Sequence, residues 1–145
     1  MRAVSYSKNN HLNLLHRGAE FFPALIRAFD AAESEIYLET YIFALDATGQ
    51  QVKSALFRAA ARGISVHVMV DWLGSGRERC ELLAAAFLPA GVQFSSFNPW
   101  FRRGVVRTHR KIVVIDGRLA FLGGLNINDD MLSDDDRAEP LPQPR

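Results

Sequence analysis

The sequence holds a single cysteine, Cys80, so it forms no internal disulfide. That excludes a disulfide scaffold and fits a reducing compartment. No apolar run approaches the roughly 20 residues a membrane span needs. The N-terminal stretch Met1–Asn10 lacks the apolar core of a signal peptide. The four histidines, His11, His16, His67 and His109, fall in separate segments without zinc-type spacing. Gly74-Ser75-Gly76 lacks the lysine and second spaced glycine of a P-loop. Net charge is nearly absent too: 17 Lys plus Arg oppose 16 Asp plus Glu, leaving +1, so bulk charge names no partner. What remains, at 145 residues with 48% apolar and 23% charged, is the composition of one soluble globular domain.

Apolar spacing predicts a helix over Gly18 to Ala32, with Pro23 in its first turn. A strand follows over Glu35 to Leu45, dense in β-branched and aromatic residues, then a helix from Thr48 to Arg62 stopped by Gly63. A second strand spans Ile64 to Val70, a helix spans Cys80 to Leu88, and a third strand spans Val92 to Phe97. Strands separated by helices imply βαβ units, hence an α/β fold. Its sheet is expected to be mixed, largely parallel and flanked by helices. His67, between Val66 and Val68, is expected in the core or facing a helix, and Cys80 to act as a small hydrophobe.

The pattern then changes. Arg107 to Ile115 and Arg118 to Leu122 are strand-like runs separated by Asp116-Gly117, a strong signal for a two-residue hairpin. That turn would pair Ile115 with Arg118, Lys111 with Leu122 and His109 with Gly124. His109 and Lys111, two apart in a strand, would share a face. Gly123 and Gly124 would leave room for a close ligand, and Asn126 would fall on the same face. Asp116, in the turn itself, reads as a structural or orienting residue.

An imidazole, an ammonium and a carboxamide beside glycines suit an anion, and phosphoryl transfer is the chemistry that uses them. Histidine can attack phosphorus or shuttle a proton. His109-x-Lys111-x4-Asp116, followed by Gly123-Gly124-x-Asn126, resembles the HxKxxxxD motif of the phospholipase D superfamily with its glycine and asparagine extension. Glu39-Thr-Tyr41-Ile-Phe43, Asp46, Ala60-Ala-Arg62-Gly63, Val70-Asp71, Gly74-Ser75 and Phe97-Asn98-Pro99 are similar to the N-terminal half of bacterial cardiolipin synthases. The resemblance covers residues 12–131. It implies a phospholipase D-like domain there, a first lobe between an N-terminal extension (1–11) and an acidic, proline-rich tail (132–145).

The resemblance implies a metal-independent, cofactor-free phosphatidyl transfer in two steps. One motif histidine attacks the phosphodiester and forms a phosphohistidine, while a second protonates the leaving alcohol and activates the acceptor. The catalytic set is then His109, Lys111 and Asp116, with Gly123, Gly124, Asn126 and Glu39 at the substrate phosphate. Glu39 is alternatively the polar member of a half-buried strand. His109 could be nucleophile or acid/base, and its order along the chain leans to nucleophile. Phosphatidylglycerol is the implied donor, with another anionic phospholipid as acceptor. The implied location is peripheral, at the cytoplasmic face of the bacterial inner membrane.

No second HxK occurs, so the second histidine must come from another lobe, in cis or by homodimerisation, and the fold is expected to be incomplete at its C-terminus. A missing strand and helix would expose a sheet edge and apolar face. Two alternatives stand beside this reading: a homodimeric single-motif phosphodiesterase or nuclease, and an inactive fragment that binds phospholipid or a partner. Charge is also segregated. Pro99 to Ile115 carries Arg102, Arg103, Arg107, Arg110 and Lys111 with no acid, beside Trp100 and Phe101. That mixture suits an anionic membrane, a nucleic-acid backbone or an ordinary solvated loop. Asp129 to Glu139 holds six acids against Arg137 and reads as a solvated segment.

Overall fold

The computed structural model describes residues 8–132. Helices α1 (Gly18–Asp30), α2 (Ala47–Ala61), α3 (Trp72–Ser75) and α4 (Arg77–Phe87) alternate with strands β1 (Glu35–Thr40), β2 (Ser65–Asp71) and β3 (Gln93–Phe97). A short β4 (Arg102–Val105) follows, then the hairpin β5 (Ile112–Ile115) and β6 (Leu119–Leu122). Five strands form one sheet in the order β3-β2-β1-β5-β6, outside which β4 lies. β1 pairs parallel with β2, and β2 with β3. β5 runs antiparallel to both β1 and β6. Four of the five strands therefore share one direction, as a mixed, largely parallel α/β sheet requires.

The order β1, β2, β3 moves steadily one way, so crossovers of one hand put α2 and α4 on the same face. Burial follows. Ile36, Leu38, Val66, Val68, Val70, Val113 and Ile115 form a closed core with Phe22, Leu25 and Phe29 of α1, Val52 and Leu56 of α2, and Leu83 and Phe87 of α4. Cys80 is buried among them, and burial pushes its thiol up to about 11. The opposite residues of the same strands, Tyr37, His67, Met69, Ile112 and Val114, line an open concave surface. His67 is on this open side rather than against a helix, stacked on Tyr37 at 4.5 Å and hydrogen-bonded to Ser65 Oγ. Leu119 and Leu122 of the edge strand β6 are exposed.

Several expectations shift in the structure. Pro23 falls at the sixth position of α1, past the first turn, where it removes one intrahelical bond. β1 ends at Thr40, because Ile42 and Ala44 turn their backbone to Ile127 instead (3.1 and 2.8 Å). The hairpin loop has three residues, not two: Ile115 pairs with Leu119, and Arg118 N donates to Ile115 O at 3.0 Å. Every pairing moves by one, so Lys111 faces Gly123, whose N–H reaches Lys111 O at 3.4 Å. The acidic run is not all solvated. Asp129 accepts from Thr48 N (2.7 Å) and Ala47 N (3.2 Å), while its own N–H donates to Asp46, the N-cap of α2. These donors at the start of α2 hold the Asp129 carboxyl below its usual range. The rest of that run and the tail lie outside the described residues.

Candidate active site

The expected long strand over Arg107 to Ile115 is β5 alone, and the segment before Ile112 is irregular because Thr108 is drawn away to two acids. Thr108 is buried, and its N–H donates to the Asp71 carboxylate at 2.8 Å instead of to a neighbouring strand. Its hydroxyl donates to Glu39 Oε1. The other oxygen of Asp71 caps α3, accepting from Leu73 N (3.0 Å) and Gly74 N (2.9 Å). Two acids at the carboxyl ends of β1 and β2 thus clamp the residue just before His109. This is the edge of an α/β sheet where ligands bind.

From that anchor the chain delivers its basic groups outward. Lys111 Nζ lies 3.0 and 3.1 Å from the two ring nitrogens of His109 and 3.1 Å from His109 O. Tyr41 supports both: its ring is 4.5 Å from the imidazole, and Nζ stands 5.5 Å from its centre. Burial lowers the Lys111 pKa by disfavouring the charged form. Arg110 reaches out 3.7 Å from Glu39 Oε2, with most of its side chain in water. The imidazole and ammonium therefore meet, as expected, although through an irregular segment rather than a shared strand face.

The remaining expected residues divide. A side chain on Gly123 or Gly124 would meet nothing within 4 Å, so nothing in the chain's own packing requires glycine at either position. Asn126 immediately precedes Ile127, which bonds to the segment carrying Tyr41, and its Oδ1 is buried without a partner. Glu39 is occupied by Thr108 and Arg110.

Asp116 is not with them. It stands five residues past Lys111, and at about 3.3 Å per residue that is about 16 Å along β5. There it accepts from Glu33 N (3.0 Å), Ser34 N and Oγ (both 2.8 Å) and Glu35 N (3.0 Å). The backbone donors of Glu35 and Glu33 lead in holding its carboxyl far below the usual range. It ties the hairpin to the start of β1, at the end of β5 away from His109 and Lys111. Thr108 and Tyr41 are the residues the sequence reading missed. Thr108 gave no signal beyond adjacency to His109, while Tyr41 lay inside a stretch read as strand. Among the described residues, no group of three or more His, Cys, Asp and Glu could hold a metal ion, and no helix is long and apolar enough to cross a membrane.

Residues 25–137 match the family described as cardiolipin synthase, phospholipase D-like domain. The chain is 38% identical over 135 residues to cardiolipin synthase B of Escherichia coli K12, covering 89% of this chain and 32% of that protein. It is 36% identical over 124 residues to cardiolipin synthase 1 of Bacillus cereus, covering 82% of this chain and 24% of the relative. The chain thus spans about a third or less of these relatives. Among solved structures, the phospholipase D family member Nuc of Salmonella typhimurium superposes with a TM-score of 0.60 at 20% identity, over 75% of this chain and 66% of that one. A phosphatidylserine synthase of Haemophilus influenzae gives 0.56 at 24% identity, over 70% and 25%. Both show the fold.

Proposed function

This chain belongs to the cardiolipin synthase, phospholipase D-like domain family, and from that premise we propose that it is one lobe of a phosphatidyltransferase working through a phosphohistidine. A ring nitrogen of His109 attacks the phosphorus of a phosphatidylglycerol diester. The bond to the glycerol oxygen breaks, and that oxygen takes a proton from a histidine of a second lobe, in cis or in a second copy. The acceptor alcohol of another anionic phospholipid then gives its proton to the same histidine. Its oxygen attacks phosphorus, and the phosphorus–nitrogen bond breaks.

The observation that carries this reading is the Lys111 ammonium at 3.0 Å from the His109 ring. A cation there meets the non-bridging oxygens as charge gathers on them, which is where fixed charge lowers a barrier. Asn126, with an unsatisfied buried oxygen, and the open space at Gly123 and Gly124 supply the remainder of a phosphate subsite. Glu39 acts on Thr108, so it positions the segment rather than binding phosphate. Since the proposed substrates sit in a bilayer, the lobe works peripherally at a membrane, at the cytoplasmic face.

The test is quenching in alkaline detergent after brief incubation with phosphatidylglycerol labelled at phosphorus. A labelled, acid-labile histidine adduct that disappears in His109→Asn is expected, with cardiolipin formed once the second lobe is present. Label on a different residue, or cardiolipin formation that survives His109→Asn, refutes the assignment.

A further inference from the structure

After β3 the chain leaves the sheet through a turn in which Asn98, Trp100 and Phe101 hold positive φ of 52°, 60° and 53°. Non-glycine residues adopt that backbone only at a cost, so something must hold it. Asn98 Nδ2 donates at 2.8 Å to both Gly104 O and Val106 O. Trp72, next to the Asp71 that anchors Thr108, packs 5.4 Å from Trp100 and 5.5 Å from Phe101 between ring centres.

The side chains held this way are large, apolar and wet: Trp100 is 57% exposed, Phe101 45%, Val105 83% and Val106 55%. Apolar residues scattered singly need no explanation, but a contiguous patch does. Cations frame it. The Arg77 guanidinium lies 4.5 Å over the Trp100 ring, and Arg102, Arg107 and Arg110 are exposed. No acid occurs between Pro99 and Ile115.

We propose that the Trp100–Val106 loop docks on an anionic lipid surface, seating its rings and valines at the headgroup boundary while the arginines meet lipid phosphates. Tryptophan favours that interface, and each cation near an anionic leaflet strengthens attachment about fivefold. A single-stranded nucleic acid fits less well. Base stacking needs free aromatic faces, whereas the most exposed of these side chains, Val105, is aliphatic, as is Val106, and Trp100 is flanked by Arg77 and Trp72. The loop runs directly into Thr108 and His109, so docking sets the active segment at the headgroup plane. That consequence rests on the phospholipid reading above; the docking itself does not.

The test uses the full chain and no turnover. Trp72→Phe leaves Trp100 as the only tryptophan. With vesicles of equal phosphatidylglycerol and phosphatidylcholine, its emission should shift to the blue and be quenched by brominated acyl chains. Co-sedimentation of Val105→Glu, and separately of a Trp100→Ala, Phe101→Ala pair, should fall about tenfold or more with unchanged far-UV circular dichroism. Pure phosphatidylcholine should bind weakly. An unquenched Trp100, or loop variants that sediment like the parent, overturns the proposal. Stronger quenching by a single-stranded oligonucleotide than by vesicles overturns it in favour of nucleic acid. Adduct formation on His109 from a soluble short-chain phosphatidylglycerol, measured in the same variants, separates failure of docking from failure of the catalytic reading.

Discussion

Replacing Asp71 by Asn keeps shape and volume while changing one oxygen into a donor. Asp71 is fully buried, and its carboxylate accepts from three backbone N–H groups: Leu73, Gly74 and Thr108. An amide can satisfy Leu73 and Gly74 with its oxygen, but its NH2 then faces the Thr108 N–H. Flipped, it satisfies Thr108 and abandons two donors. The first orientation loses less, so the damage concentrates at Thr108. Losing one hydrogen bond to a charged acceptor and leaving a buried donor unpaired costs about 2 kcal/mol. For a domain of this size that corresponds to a Tm lower by about 4–8 °C. The local consequence is sharper. The free energy of opening at the Thr108 amide should fall by the same amount, raising its exchange rate about 30-fold relative to amides of β1. Hydrogen exchange read residue by residue checks this. A variant that folds, loses stability globally and yet keeps Thr108 protection equal to the parent's would refute the clamp.

Asp116→Asn should lower Tm at neutral pH, because the carboxylate that ties the hairpin to Glu33–Glu35 is lost. The folded carboxyl is held well below the usual carboxylate range by the backbone N–H groups of Glu35 and Glu33, so its stabilisation is complete above the unfolded pKa and fades as pH falls toward the folded one. Melting curves should show a constant gap between parent and variant above about pH 5 that narrows below pH 4; a gap that widens in acid contradicts the assignment. Gly124→Ala should leave Tm within about 1 °C of the parent, since its Cβ meets nothing, and should cut adduct formation if the space belongs to a ligand. Gly49→Ala is the contrast: its Cβ would stand 1.9 Å from Ala44 O, so soluble yield or Tm must drop. Cys80, with its thiol raised to about 11 by burial, should react with a disulfide reagent at pH 8 only after denaturation.

The alternating part of the fold was legible because each element carries its own signal. Phe22, Leu25 and Phe29 repeat at helical spacing, Gly63 ends α2, and the β-branched runs of β1 and β2 stand between turn residues. What the sequence hid were places where a side chain far away in the chain displaces a local rule. Asp116-Gly117 signals a two-residue turn, but the Asp116 carboxylate is engaged by Glu33–Glu35, 81 to 83 residues back, and the loop takes three residues. Asp129 sits in an acidic run that looks solvated, yet it completes the first turn of α2. Thr108 looks like a strand residue, and two acids from β1 and β2 pull it out of the ladder. Propensity sees neighbours three or four positions away; these contacts span 37 to 83 positions.

Long-range contacts also decide what the short motif means in this fold. His109, Lys111 and Asp116 sit within eight positions of sequence, and proximity invites assigning them one chemical task. The strand between them makes that impossible: β5 carries its first end to the carboxyl edge of β1 and β2 and its last end to their opposite edge. The motif therefore records two requirements of one strand. At one end an imidazole and an ammonium must meet within 3.0 Å, and at the other a carboxylate must pin the strand's far end to the start of β1. A rigid lever between them follows, because Val113 and Ile115 are buried in the core that β1 shares. Loosening Asp116 should then act on the active segment only through β5. Asp116→Asn should lower the protection of Ile115 and Val113 amides more than that of Thr108, whereas Asp71→Asn should do the reverse. Equal loss at both ends in either variant would mean that the segment and the strand open as one unit, and the division of labour would fail.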